Sequence, residues 1–339
     1  MKTKPLPLPI GRTFLVGDIG GTRTRLAIYK ANGRVPLVEA VLPSQEHKTF
    51  EEIAVRFLAE ANAPRPVAAV FGVAGPVEGG VATITNLPWR LEERALAKQL
   101  RIPSVLLVND LVVNARGCLT MPASNLTALT TELPVKRGKH IGVIAAGTGL
   151  GEARLLWIDG CYRALPTEGG HTDFAPRTPI EVELFQFLAK RFPDHVSYER
   201  VICGAGLGNL YDFFAARSKQ ASTTIARRLA DGDRNAAIAE LGLAREHEPA
   251  AQAVDLFATL YGAEAGNIVL RELAVGGIYV VGNIGRSIIP HRRELFMQGF
   301  LQKGRFEGLL SKIPVAVVME PLVGIRGALA IARDMIEQD

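Results

Sequence analysis

Three places along the 339-residue chain put polar, chemistry-bearing side chains where a turn or a strand end could present them. Asp18-Ile19-Gly20-Gly21-Thr22 joins an apolar run at 14–16 to another at 26–29 through a glycine pair, a strong hairpin signal. Glycines there free the backbone for positive φ, and they remove the Cβ atoms that would hold a phosphate away from backbone N–H groups. Asp18 falls where the first strand ends, and a carboxylate beside bound phosphates suits a hydrated magnesium ion. Gly147-Thr148-Gly149-Leu150-Gly151 repeats that arrangement between the runs at 140–146 and 152–158. Asn109-Asp110 directly follows the apolar run at 105–108, and polar groups at the carboxyl end of a buried strand are placed for ligands. Each residue also has a plainer reading: an Asp after a strand is a common turn former or helix cap, and Glu199 alone would be a first-turn helix carboxylate.

The elements that must carry these groups read as alternating strands and helices. Apolar residues at helical spacing, Phe50, Ile53, Ala54, Phe57 and Leu58, predict a helix after the first hairpin. A buried strand follows at 67–77, broken by Gly75-Pro76, and Asn86-Leu87-Pro88-Trp89 then introduces an amphipathic segment. Helices are predicted over 180–191 and from 197 onward, with two or three more between 225 and 273 broken near Asp231-Gly232-Asp233 and Glu248-Pro249. Strand character returns at 274–285 and 315–319, and the chain closes on a helix at 323–336. The strand, glycine turn, strand module occurs once in each half, which predicts a duplicated α/β architecture with two sheets facing each other across a cleft. Neither GxGxxG nor GxxxxGK[ST] is present, and both glycine loops continue as strands, so a dinucleotide or Walker-type site is excluded.

Composition allows a large core and two domains: 48% of residues are hydrophobic and 22% charged. A net charge of +5 with Lys and Arg scattered among Asp and Glu gives no reason to expect a nucleic-acid partner. Three widely separated cysteines, Cys118, Cys161 and Cys203, suggest neither a metal knuckle nor a disulfide framework, and a reduced cytoplasm is the natural compartment. No run is long enough to span a bilayer, and the N-terminal prolines predict a short extended arm rather than a signal peptide.

Together the motifs resemble bacterial glucokinase, the ATP-dependent hexose kinase of the actin, Hsp70 and hexokinase superfamily. The resemblance covers almost the whole chain: Asp18 to Thr22, Asn86 to Trp89, Asn109-Asp110-Leu111, Gly147 to Gly151, Glu168-Gly169-Gly170-His171 and Glu199-Arg200-Val201 through Gly206-Leu207 fall in the family's order. It implies a two-domain actin-like ATPase (ribonuclease H-like) fold with duplicated mixed sheets around an interdomain cleft. The expected domains are 1–119 plus 323–339, the smaller, and 120–322, the larger. It also implies a homodimer, and transfer of the γ-phosphoryl group of Mg-ATP to the 6-hydroxyl of glucose at the first step of glycolysis.

The same resemblance implies that Asn109, Asp110, Glu168, His171 and Glu199 line the sugar pocket, with Asp110 as catalytic base. Asp18 (through water to Mg2+), Gly20, Gly21, Thr22, Gly147, Thr148, Gly149 and Gly282 would serve ATP. Elementary chemistry agrees, because a pyranose presents a ring of hydroxyls that carboxylates, an amide and an imidazole can satisfy together. ROK-family sugar kinases place a cysteine cluster near the corresponding histidine; none follows His171, which therefore reads as a sugar hydrogen-bonder rather than a zinc ligand. Two departures stand out. Arg23 occupies a position where the family commonly has Asn, and Asn283 stands where a second glycine is usual, a residue expected to tolerate left-handed backbone. A polyphosphate donor or another hexose or amino-sugar acceptor fits the same fold, and a non-catalytic sugar-sensing regulator is the reading from a different class.

Overall fold

The structure, a computed structural model, describes residues 11–84, 87–135, 137–218 and 223–337. The arm expected at residues 1–10 and Asn86 lie outside the described residues. The chain divides into two compact units, Met1–Met121 with Leu322–Asp339, and Pro122–Pro321.

In the first unit the chain runs β1 (Thr13–Ile19), β2 (Arg23–Lys30), β3 (Pro36–Pro43), α1 (Phe50–Glu60), β4 (Ala68–Val73) and the short strands β5 (Val77–Glu78), β6 (Val81–Thr83) and β7 (Arg90–Glu92). Then come α2 (Glu93–Leu100), β8 (Ser104–Asn109) and α3 (Asp110–Cys118). Among the described residues the main sheet has the order β3-β2-β1-β4-β8, and β5-β6-β7 form a small sheet of their own. β1 pairs antiparallel with β2 and parallel with β4, and β4 pairs parallel with β8. Successive side chains of a strand point to opposite faces. Leu15 and Ile19 accordingly join one core with Phe50 and Phe57 of α1. Phe14 and Val16 join the other, with Ile325 and Leu329 of the C-terminal helix Val323–Glu337. Burial on both faces is why the strand reads as a continuous apolar run.

The C-terminal helix and α3 approach closely because glycines face them: a Cβ on Gly327 would stand 1.7 Å from Val113 O, and one on Gly117 2.0 Å from Val323 O. The sequence pattern did not reveal β3, whose Val38, Ala40 and Leu42 pack inward while Leu37, Glu39 and Val41 face out. The opening hairpin is therefore two-thirds of a meander.

The second unit repeats the plan. Its strands are β9 (Leu126–Ala128), β10 (Ile141–Ala146), β11 (Leu150–Ile158), β12 (Cys161–Thr167), β13 (Ile278–Val281) and β14 (Val315–Val318). Between β12 and β13 lie α4 (Pro179–Arg191), α5 (Gly204–Ala215), α6 (Thr223–Ala230), α7 (Arg234–Leu243) and α8 (Glu248–Glu272). After β13 come α9 (Asn283–Ile288), α10 (Arg293–Leu301) and α11 (Glu307–Leu310). The sheet order is β12-β11-β10-β13-β14-β9. β12, β11 and β10 are antiparallel neighbours and β10, β13 and β14 parallel ones, as β3, β2 and β1 and then β1, β4 and β8 are in the first unit. The duplication expected from the two glycine modules is thus present in strand order and direction. α8 is buried along most of its length and supports the sheet. Its Tyr261 hydroxyl accepts from Ala146 N at 3.0 Å, fixing the end of β10 where the second glycine turn begins.

Candidate functional site

Asp18 sits one residue from the end of β1, facing Arg25 across the β1–β2 ladder. Its position gives it the same strand face as Phe14 and Val16, toward the start of the C-terminal helix, where a Cβ on Gly324 would lie 3.9 Å from Asp18 Oδ2. Desolvation raises its carboxyl above the ordinary value and the Arg25 guanidinium opposes this. The residue is still solvent-exposed, so water limits the rise. Among the described residues no group of three or more His, Cys, Asp or Glu could hold a metal by itself.

The turn after Asp18 is closed by Gly20 N–H donating to Arg23 O at 3.0 Å. Its anchor is Ser44, fully buried just past β3: its hydroxyl donates to Gly20 O at 2.8 Å and lies 2.9 Å from Thr24 Oγ1, and Ser44 N donates to Thr22 O at 2.9 Å. Sequence reading missed Ser44, since nothing local marks a serine whose partners lie 20 or more residues earlier. The expectation of positive φ is not met at Gly20. Thr22 and Arg23 are both exposed at the turn.

Asn109 ends β8 and caps α3. Its Oδ1 accepts from Leu111 N at 2.9 Å and its Nδ2 donates to Gly75 O at 3.2 Å, so it ties the Gly75-Pro76 loop to the helix start. Asp110 is the first residue of α3, half-buried, with Oδ1 also accepting from Leu111 N at 2.9 Å. β4 separates β8 from β1 in the sheet, so this pair and the first glycine turn stand on strands that are not neighbours. Trp89 of the Asn86 to Trp89 motif belongs to the core, 2% exposed.

In the second unit Glu168, His171 and Glu199 come together against the second glycine turn. Glu199 Oε2 accepts from Leu150 N at 3.0 Å, and His171 Nε2 lies 4.0 Å from both Glu199 Oε2 and Glu168 Oε2. Glycines make the fit: a Cβ on Gly149 would stand 2.5 Å from Glu199 Oε2, and one on Gly170 would stand 2.1 Å from Leu150 O. The turn closes more tightly than its counterpart, with Gly147 N–H donating to the carbonyl two residues on, Gly149 O, at 2.9 Å, while Gly147 O accepts from Gly204 N at 2.9 Å at the start of α5. Gly147 is likewise not at positive φ; nothing lies within 4 Å of where its Cβ would be, so its absence leaves open space beside the turn.

Beside Thr148 lies a cavity of ≈ 540 Å³ bounded by Ala205 of α5, Phe192, Arg200, Arg234 and Asn235. Arg200 lies 4.2 Å above the Phe192 ring, a cation–π contact on the cavity's edge. Gly282 belongs to the same neighbourhood: its φ is +91°, and a Cβ there would stand 2.5 Å from Ala146 O at the end of β10. The sequence reading of Asn283 needs correction here. Gly282 takes the positive φ, and Asn283 opens α9, with Oδ1 accepting from Arg286 Nη2 at 2.7 Å.

A family model described as Glucokinase matches residues 15–335. The chain is 36% identical over 332 residues to a glucokinase of Nostoc punctiforme, covering 93% of this chain and 97% of that one. Among solved structures, a glucokinase from an Antarctic psychrotroph superposes with a TM-score of 0.80 at 26% identity, covering 95% of this chain and 99% of the other. A glucokinase from Balamuthia mandrillaris in complex with glucose gives 0.78 at 22% identity, over 95% and 94% of the two chains, and so speaks for the fold.

Proposed function

The chain belongs to the glucokinase family, and on that premise we propose that it transfers the γ-phosphoryl group of ATP to the 6-hydroxyl of D-glucose through the residues assigned below. Glu199 carries the reading: one carboxylate oxygen accepts the amide of Leu150 in the second glycine turn and stands beside His171. Groups suited to sugar hydroxyls and a turn suited to phosphate are thus one piece of structure. Asn109, Asp110, Glu168, His171 and Glu199 hold the sugar in this reading, each supplying a donor or acceptor to a hydroxyl.

Asp110 accepts the proton of the 6-hydroxyl as that oxygen attacks the γ-phosphorus, and the oxygen bridging to the β-phosphate leaves with ADP. The transition state is loose, so alignment and charge neutralisation supply most of the acceleration. Because Gly20 N–H and Gly147 N–H are occupied in closing their turns, phosphate contacts fall to Gly21 and Thr22 in the first turn and to Thr148 and Gly149 in the second. Magnesium held through water by Asp18 would neutralise phosphate charge. The cavity beside Thr148 receives the nucleoside, its volume being in the range of small-molecule sites, and Gly282 packs against Ala146 at the strand end that leads into the turn. Exposed Arg23 adds a cation at the first turn that can reach phosphate.

Residence in the cytoplasm, a place at the first step of glycolysis and a homodimeric assembly complete the reading. Cys118, Cys161 and Cys203 are free, and among the described residues no helix is long and apolar enough to cross a membrane. ADP release measured with glucose, mannose, fructose and no sugar tests the assignment. Release that depends on glucose is expected; release indifferent to sugar, or glucose binding without turnover, would overturn it in favour of an ATPase or a sugar-sensing regulator.

A further inference from the structure

The turn at 168–171 rests on a buried carboxylate. Glu152 follows the second glycine turn on β11, pairs in register with Ile144 of β10 and Thr167 of β12, and is 4% exposed. A Cβ on Gly169 would stand 2.0 Å from Glu152 Oε2, so the backbone of the turn lies directly against that oxygen. Glu152 Oε2 accepts from Arg271 Nη2 at 3.3 Å, and the same nitrogen donates to Oε1 of Glu264, which is fully buried on α8. Glu152 Oε1 is buried with no hydrogen-bond partner. Two buried carboxylates therefore share one guanidinium nitrogen. Both ionised, they would repel each other in a setting that solvates neither well; one proton between them removes a charge and creates a donor.

We propose that Glu152 is a positioning residue for the sugar-binding turn, and that it acts as the protonated half of an acid–carboxylate pair with Glu264, gripped by Arg271. The proposal rests on the reading of residues 168–171 as part of the glucose site. Loss of the shared proton puts two negative charges beneath Gly169, drives the carboxyls apart and shifts the turn, so glucose affinity falls as pH rises.

Other groups around the pair agree in direction. Burial, Glu264 and Glu272 push the Glu152 carboxyl from 4.5 up to about 8, against the pull of Arg271. Glu272 is itself held by Arg154 Nη1 at 2.7 Å. On the far side of Glu264, Asn267 Nδ2 donates to Glu264 Oε2 at 2.8 Å and lies 3.1 Å from the hydroxyl of Tyr198, the neighbour of Glu199. Tyr261, also near Glu152, is occupied by Ala146 N and remains protonated, its hydroxyl pushed well up by burial. Lys303, whose Nζ donates to Asn267 Oδ1 at 2.5 Å, is lowered to about 8 by burial, so it titrates in the same range. Substitution, rather than a pH profile alone, separates the two groups. The sign follows from linkage. Between pH 4.5 and about 8 the native chain holds a proton on Glu152 that the unfolded chain releases, so this group's contribution to stability declines as pH rises through that window.

Glucose binding by calorimetry, without nucleotide, from below to above pH 8 tests this on the unaltered chain, Glu152→Gln, Glu264→Gln and His171→Ala. The unaltered chain should lose affinity above pH 8, by at most roughly tenfold per pH unit, and take up protons on binding glucose. Glu152→Gln, which keeps a neutral donor in place, should have a flat profile and no such uptake; Glu264→Gln carries the same expectation if the first variant does not fold. An alkaline loss that survives in a folded Gln variant overturns the proposal. His171→Ala should weaken binding at every pH; if it binds glucose normally, the sugar-site reading itself falls, whereas weak binding there with a persistent alkaline loss in Glu152→Gln sinks only the Glu152 proposal.

Discussion

The turn after β1 is pinned by a neutral hydroxyl, Ser44, whereas the turn after β10 is pinned by a carboxylate, Glu199, that also stands beside His171. Both turns close through the N–H of their first glycine, to the carbonyl three residues on in the first and two residues on in the second, and both follow a central strand with the same pattern of neighbours. What differs is the wiring. In the first unit Asp18 and the glycine turn stand on β1, and Asn109 and Asp110 stand two strands away beyond β4. In the second, the glycine turn, the turn at 168–171 and Glu199 touch one another, with glycines at 149, 169 and 170 permitting approaches that a Cβ would displace. Changes in the first unit should therefore be separable by substrate, and changes in the second should not.

Glu199→Ala is the strongest way to probe that contrast. It leaves Leu150 N–H without its acceptor, and an unsatisfied buried amide costs about 1–3 kcal/mol. Roughly ten- to hundredfold losses are expected in kcat/KM for glucose and for ATP alike; a loss confined to glucose would mean the two functions are not joined there. Gly149→Ala should act more mildly in the same sense. Its Cβ would meet the flexible end of Glu199 at 2.5 Å, so the carboxylate can swing away at small cost in stability, and both KM values should rise about threefold to tenfold. Thermal melting alongside kinetics distinguishes that from general damage. Smallest of all is Ser44→Ala, which removes hydrogen bonds to Gly20 O and Thr24 and should cost about 1 kcal/mol of stability. Its effect on KM should fall on ATP and spare glucose; an equal rise in both would erase the contrast.

Features set by neighbouring residues were legible in the sequence. Glycine turns between apolar runs located both hairpins, and helical spacing located α1, α4 and the C-terminal helix. Breaks at Asp231-Gly232-Asp233 and Glu248-Pro249 separated α6, α7 and α8. The in-order motifs identified the family. Features set by contact between distant segments were not legible. Glu152 and Arg271 are 119 residues apart, and no local pattern predicts that one will donate to the other beneath Gly169. Ser44 and β3 were missed for the same reason. At Gly282 and Asn283 the sequence offered two residues tolerant of left-handed backbone, and only the packing of Gly282 on Ala146 O decides which one adopts it.

Turnover and glucose binding measured together on Asp110→Asn test most directly the claim that this chain is a glucose kinase with Asp110 as its base. The variant should bind glucose within about threefold of the unaltered chain, while glucose 6-phosphate formation falls by roughly 10²–10⁴-fold. Glucose 6-phosphate formed at a near-normal rate would contradict it.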